Sequence, residues 1–197
     1  MVSIARVDVG NTVYHVLNRA VGKLRIFTTP DDYQAFLNVL EEAREKTGMR
    51  VLAFAVMPNH WHLVLYPKRD KDMGRYMHKL TNSHTRRFHA STETIGTGPL
   101  YQGRYKSFPI EDDIHLLTVI KYVERNPVRA KFVRTCEEWQ WGSAWIRSQS
   151  PKLQQRFIDD PPLDLPQQYS QWVNTADKVD VISSLRNSVR RGTPFGE

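Results

Sequence analysis

Residues 51–66 read VLAFAVMPNHWHLVLY, in which two apolar runs flank the pair Pro58-Asn59. Short apolar runs bounded by Pro and Asn are typical of buried strands that are joined by a turn. We therefore expect residues 51–57 and 60–66 to be two strands that pair with each other as an antiparallel hairpin.

The second strand of this hairpin begins with two histidines, which form the first candidate site. Successive strand residues point to opposite faces, so His60 and His62 share one face, with their alpha carbons about 6.6 Å apart. Trp61 and Leu63 then face the other side. Two imidazoles at this separation can converge on one metal ion. Because the chain has seven histidines, such a pair also arises by chance.

Outward from the hairpin, periodicity predicts strands at residues 13–19 and 105–110 and helices at 29–48, 72–90 and 112–126. The order strand, helix, strand, strand, helix, strand, helix is a split βαβ arrangement. The predicted fold class is α+β, a ferredoxin-like antiparallel sheet with helices packed on one face.

Beyond this unit the character of the sequence changes. We expect residues 1–135 to form a catalytic domain and residues 136–197 to form a mostly helical and irregular extension that binds DNA or regulates the domain. In the extension, residues 177–191 are predicted to be helical, and its arginines at 186, 190 and 191 are further candidates for DNA contacts.

The net charge of +7 has a definite location in the chain. Residues 51–135 hold fourteen Lys/Arg against seven Asp/Glu, whereas the flanking parts are close to neutral. An anionic partner is expected to bind this middle part, and a solvated basic face is the alternative.

The remaining composition excludes several classes of protein. A single cysteine, Cys136, excludes an internal disulfide framework. The longest apolar stretch is too short to span a bilayer, and no secretory pattern precedes it. We therefore expect a cytoplasmic protein without a membrane partner.

Tyr122 and Asn126 form the second candidate site. They lie four residues apart on one face of the third predicted helix. A phenol is a weak nucleophile at neutral pH and needs an activated electrophile or a nearby cation. The alternative is a half-buried tyrosine and a polar helix end before Pro127.

The third feature is the basic stretch 68–106, with nine Lys/Arg and three acidic residues. Cations follow the phosphates of nucleic acids, and exposed aromatic rings stack on unpaired bases. Tyr76 and Phe88 are expected in the core, while Gly103 within residues 101–106 suits close approach to a ligand.

Together these features resemble the REP-associated tyrosine transposases, a single-tyrosine branch of the HUH nucleases. The resemblance runs from about residue 10 to residue 145. The stretches that carry it are Tyr14-His15-Val16 with Asn18-Arg19, Met57-Pro58-Asn59-His60-Trp61-His62-Leu63, Gln102-Gly103-Arg104-Tyr105-Lys106-Ser107 and Lys121-Tyr122-Val123-Glu124-Arg125-Asn126-Pro127-Val128-Arg129-Ala130.

This resemblance implies a metal-dependent endonuclease and strand transferase. His60 and His62 would bind Mg²⁺ or Mn²⁺ with Asn126 as a third ligand, and Tyr122 would form a 5′-phosphotyrosine. No nucleotide cofactor is expected, because reversal of the step rejoins strands without ATP.

The resemblance also implies a substrate, which is single-stranded DNA that carries a short imperfect hairpin. We expect a monomer associated with the nucleoid. The residues expected to contact DNA are Arg19, Lys68, Arg75, Lys79, Arg86, Arg87, Gln102, Arg104, Tyr105, Lys106, Arg125 and Arg129.

Three alternatives stay open at this point. A replication initiator or relaxase would use the same chemistry. A non-catalytic nucleic-acid-binding module would use the same sheet, but needs aromatics on adjacent central strands. A metal-dependent hydrolase would add Asp112 or Asp113 to the histidines, although both aspartates suit helix capping better.

Overall fold

The computed structural model describes residues 7–191. Four strands in this part of the chain form one sheet. They are β1 (Val13–Arg19), β2 (Arg50–Met57), β3 (His60–Tyr66) and β4 (Lys106–Ile110). The spatial order is β2-β3-β1-β4, and all neighbours are antiparallel. The predicted hairpin of β2 and β3 is confirmed, and β3 and β1 occupy the centre.

Three long helices follow the predicted order: α1 (Pro30–Thr47), α2 (Asp72–Ser91) and α3 (Asp113–Glu124). The side chain of Thr29 caps α1 together with Asp32, and Gly48 ends it with φ 67°, a conformation that costs glycine little. The shorter helices are α4 (Asn126–Arg129), α5 (Ser143–Arg147), α6 (Pro151–Phe157) and α7 (Tyr169–Asn174), and α8 (Val179–Arg191) completes the described chain.

The α+β ferredoxin-like class is confirmed, but the prediction that helices cover one face of the sheet is wrong. Helices α1 and α2 pack on the face that carries Trp61 and Leu63. Helix α3 packs on the opposite face, together with partly buried side chains from residues 163–182. The physical reason is that β2 and β3 are apolar on both faces, with Leu52 and Val64 fully buried beneath α3, and such strands need cover on both sides.

The C-terminal extension covers the edge of the sheet at β2. The Val56 N–H donates to the Trp141 carbonyl (2.9 Å), the Phe54 N–H donates to Ser143 Oγ (2.9 Å), and Ala55 bridges to Gly142. These bonds satisfy donors that an edge strand would otherwise leave exposed. The expected division at residue 135 stays a prediction about which part carries the activity.

No helix within residues 7–191 is both long and apolar enough to cross a membrane.

Candidate active site

A cavity of about 680 Å³ opens where the ends of β1 and β3 meet α3 and α4. It brings together nine of the predicted site residues. They are Arg19, His60, His62, Gln102, Arg104, Lys106, Tyr122, Asn126 and Arg129.

The two histidines of β3 lie side by side in this cavity, with ring centroids 5.2 Å apart. Their predicted common face is confirmed, because Trp61 between them packs into the core on the other side. His60 Nδ1 is 2.7 Å from Asn59 Oδ1, and His62 Nδ1 is 2.9 Å from His15 Nε2. Both rings are therefore held through Nδ1, which leaves each Nε2 for another partner.

Burial keeps these imidazoles neutral. It lowers the pKa of His60 to about 4, with a smaller contribution from the positive charge of Arg19. Burial likewise lowers the pKa of His62 well below its ordinary value, followed by the effects of His15 and His60. A neutral imidazole has the lone pair that a metal ion requires.

His15 is a candidate functional residue that was not assigned a role from the sequence. Its ring stacks on that of His62 at 5.1 Å, and only 2% of the residue is exposed. Burial, followed by the charge of Arg129, lowers its pKa to about 3. It reaches His62 because β1 and β3 pair in a register that places Leu17 opposite His62. This register would have identified His15 as a neighbour of His62, but the sequence alone does not show it.

Tyr122 lies on α3 above the histidines, with its ring centroid 6.0 Å from that of His62. The guanidinium carbon of Arg129 lies 4.1 Å from the centre of the Tyr122 ring. A cation in this position attracts the electron-rich face of the ring and helps to hold the ring in place.

Asn126 owes its position to the break between α3 and α4. Pro127 has no N–H, so it cannot donate to the Val123 carbonyl as a helix would require. The Asn126 Nδ2 donates there instead and also to the Tyr122 carbonyl, both at 3.2 Å. The break lies at Arg125, slightly before residue 126, where the third helix was predicted to end. The Asn126 amide oxygen is left for the cavity.

These groups form a donor set that fits a divalent metal ion. Two neutral imidazoles and one amide oxygen are suitable ligands and leave positions for a substrate. Within residues 7–191, no group of three or more His, Cys, Asp or Glu side chains is placed to hold a metal ion. A metal in this cavity would therefore depend on the amide as well as on the two histidines.

The cavity wall is cationic. Arg19, Arg104, Lys106 and Arg129 line it, and among the described residues no Asp or Glu does. The loop before β4 is attached to β1, since the Gln102 N–H donates to the Arg19 carbonyl (2.9 Å). A Cβ at Gly103 would meet no atom within 4 Å, so packing does not require this glycine.

The other predicted DNA contacts lie elsewhere. Five are on or before α2, which packs on the opposite face of the sheet, and two of these form ion pairs, Arg75 with Asp72 and Arg87 with Glu42. Those five residues are Lys68, Arg75, Lys79, Arg86 and Arg87.

Two further predicted contacts are directed into the protein. Tyr105 packs against the core beneath α1 and α2. Arg125 is buried and donates to the Val173 carbonyl (3.0 Å). The side chains of residues 186, 190 and 191 lie outside the described part of the structure.

The aspartates of the hydrolase alternative are not in this cavity. The Asp112 side chain accepts a hydrogen bond from the His115 N–H (2.8 Å) at the start of α3, so its predicted role as a helix cap is confirmed. Asp113 is in the first turn of the same helix.

Known proteins provide a comparison for this geometry. The sequence model of a family described as "Transposase IS200 like" matches residues 8–126. No curated protein matches the chain.

Two solved structures are similar. One is a REP-associated tyrosine transposase bound to a REP hairpin, with a TM-score of 0.62 and 15% identity over 84% of this chain and 95% of that chain. The other is a candidate transposase from Deinococcus radiodurans R1, with a TM-score of 0.43 and 17% identity over 63% of this chain and 97% of that one. The first likeness confirms the fold.

Proposed function

The chain belongs to the IS200-like transposase family, and on that premise we propose that it cleaves and rejoins single-stranded DNA with Tyr122 as the nucleophile. The observation that carries the proposal is the cavity itself. It combines a tyrosine, two neutral histidines and four cations, without a carboxylate among the described lining residues.

In the proposed reaction, the Tyr122 oxygen attacks a backbone phosphorus in line. The Tyr122 O–P bond forms as the bond from phosphorus to the 3′ oxygen breaks. The phenol gives up its proton and the released 3′ oxygen gains one. A 3′-hydroxyl can reverse the step and join strands, because the phosphotyrosine bond retains the energy of the original linkage.

The surrounding side chains orient and neutralise the phosphate. Arg129 helps to hold the attacking Tyr122 ring in place, and the other cavity cations hold the DNA backbone. His60, His62 and Asn126 would hold Mg²⁺ or Mn²⁺. When bound, the metal ion supplies Lewis-acid polarisation of the scissile phosphate. Imidazole is not the usual ligand of the hard Mg²⁺ ion.

The proposed substrate is a single strand that carries a short imperfect hairpin. A solved relative of the same fold is bound to a REP hairpin. The cationic cavity is compatible with the phosphates beside such a hairpin.

The nucleophile can be tested with a hairpin-bearing single strand and Mn²⁺. We expect the protein to form a covalent adduct that survives denaturing electrophoresis, and Tyr122→Phe to reduce it below detection. Tyr66→Phe is the matched control, since Tyr66 also lies under a guanidinium, 3.4 Å from Arg50, but outside the cavity. Equal adduct formation by Tyr122→Phe, or full activity in EDTA, would contradict the nucleophile or the metal requirement, respectively.

A further inference from the structure

A second aromatic feature lies beside the catalytic cavity. Phe132 is 49% exposed, although it is a large apolar side chain. One face of its ring stacks on Trp139, with centroids 5.5 Å apart and an interplanar angle of 22°. The pair is therefore an aromatic surface supported on one side and exposed to solvent on the other.

This aromatic pair is held in place by backbone hydrogen bonds. The Phe132 N–H donates to the Pro127 carbonyl (3.0 Å), and the Lys131 N–H donates to the Val128 carbonyl (3.0 Å). From the other side, Trp139 Nε1 donates to the Val56 carbonyl of β2 (3.0 Å). A ligand that stacks on Phe132 would meet a surface that needs little ordering.

The surroundings favour an anionic, planar ligand. Lys131 and Arg134 are exposed on either side of Phe132 and line the same open cavity of about 780 Å³. Glu138 lines it too, but its carboxylate accepts a hydrogen bond from the Arg134 N–H (2.8 Å). Phosphates and bases alternate along single-stranded DNA, which matches cations that flank an aromatic ring.

The position of the pair links it to the catalytic site. Arg129 and Ala130 line the catalytic cavity, and the next residue, Lys131, lines the neighbouring one. A strand that continues past α4 from the phosphate at Tyr122 would meet Phe132. We propose that Phe132 and Trp139 form a stacking subsite for an unpaired base that flanks the cleaved phosphate. This inference rests on the proposed function for the identity of the ligand as DNA.

The test uses the full chain with Tyr122→Phe, which keeps bound DNA intact, and strands with 2-aminopurine at successive positions on both sides of the cleavage site. We expect quenching of its fluorescence at one or two neighbouring positions. Phe132→Leu keeps an apolar side chain but removes the ring, so it should abolish this quenching and weaken binding about 5- to 100-fold. Phe132→Trp should retain both.

Ile114→Ala is the matched control, because Ile114 is 76% exposed on α3 and lines neither cavity. We expect this variant to bind and quench as the parent does. Quenching that is unchanged in Phe132→Leu, or absent at every position, would overturn the stacking subsite.

Failure of this subsite can be separated from failure of the proposed function. Adduct formation is measured separately, on the parent chain with Tyr122 intact and on its Ile114→Ala variant. An adduct together with quenching that does not depend on the Phe132 ring would contradict the subsite alone. Ring-dependent quenching without any adduct would contradict the proposed chemistry and still support the subsite.

Discussion

The two ring nitrogens of His62 have different surroundings, because Nδ1 lies against His15 and Nε2 is left for another partner. For Nε2 to offer its lone pair to a metal ion, the proton must be on Nδ1, and His15 Nε2 then accepts it at 2.9 Å. The opposite arrangement, in which His15 donates, would place a proton on His62 Nε2 and block it. We therefore expect His15 to be a positioning residue, which accepts the Nδ1 proton of His62 and so favours the form of His62 whose Nε2 is unprotonated.

Substitution of His15 should affect metal binding before any DNA is added. We expect His15→Ala to weaken Mn²⁺ binding about 10- to 100-fold, and His15→Gln, whose amide oxygen can accept the same bond, to recover part of the loss. Calorimetry on the protein alone measures this. His89→Ala is the control, as His89 is a half-buried histidine on α2 that bonds Thr94. Unchanged Mn²⁺ affinity in His15→Ala would exclude the positioning role.

At the scale of elements, local patterns predicted the hairpin, the extent of α1 and the shared face of His60 and His62. These features depend on residues that are close together in the sequence. The contact between His15 and His62 depends on the register of two strands 47 residues apart, which no local pattern encodes. The sequence therefore predicted residues that the structure brings to one cavity, His60, His62 and Tyr122, but it did not single out His15. The roles of the three as ligands and nucleophile stay predictions.

The inward direction of Arg125 was not predictable for a related reason. Its partner, the Val173 carbonyl, lies on α7 in the extension, and the sequence did not reveal where the extension packs. For the same reason, the sequence did not predict that the second face of the sheet is covered. Long-range packing against irregular segments is the part of this fold that local propensity does not determine.

Helix α3 is joined to the extension by a buried charge. The side chain of Glu124, two residues after Tyr122, has no exposed surface. It accepts hydrogen bonds from Ser143 Oγ (2.5 Å), Arg147 Nε (3.2 Å) and the Tyr169 hydroxyl. The helix that carries Tyr122, the proposed nucleophile, is therefore anchored to α5 and α7.

Removal of this charge should destabilise the protein strongly. We expect Glu124→Ala to lower the free energy of unfolding by about 3–5 kcal/mol, because Arg147 is left buried without its counter-charge. Denaturant titration measures this change. In the control, Glu42→Ala removes the exposed pair with Arg87, and should cost at most about 1 kcal/mol. Equal losses in the two variants would contradict the anchoring role.

At the scale of the whole molecule, two groups of cations lie on opposite faces of the sheet. One group of cations lines the cavity, and another lies on α2 across the sheet. Only the first adjoins Tyr122. DNA that reaches the proposed nucleophile must therefore replace counterions at the cavity, and we expect its affinity to depend on salt through these residues.

The salt dependence can be assigned to particular residues. We expect Arg19→Gln to reduce the slope of log affinity against log salt by about 0.7 for a single strand, the value of one lost phosphate contact. Fluorescence anisotropy at several salt concentrations measures the slope. Lys152→Gln, an exposed cation on α6 outside the cavity, should leave it unchanged. The same slope in both variants would show that DNA affinity depends on the total charge of the protein and not on the cations of the cavity.

The bridge between Ala55 and Gly142 also has a consequence for the order of events during synthesis. Strand β2 leaves the ribosome roughly ninety residues before the segment that covers its edge, a delay of roughly 4 to 17 seconds at ordinary translation rates. During that interval the nascent chain carries an open edge with an apolar strand behind it. Chaperone demand should therefore be highest between the emergence of β2 and the emergence of residue 143, and should fall after that.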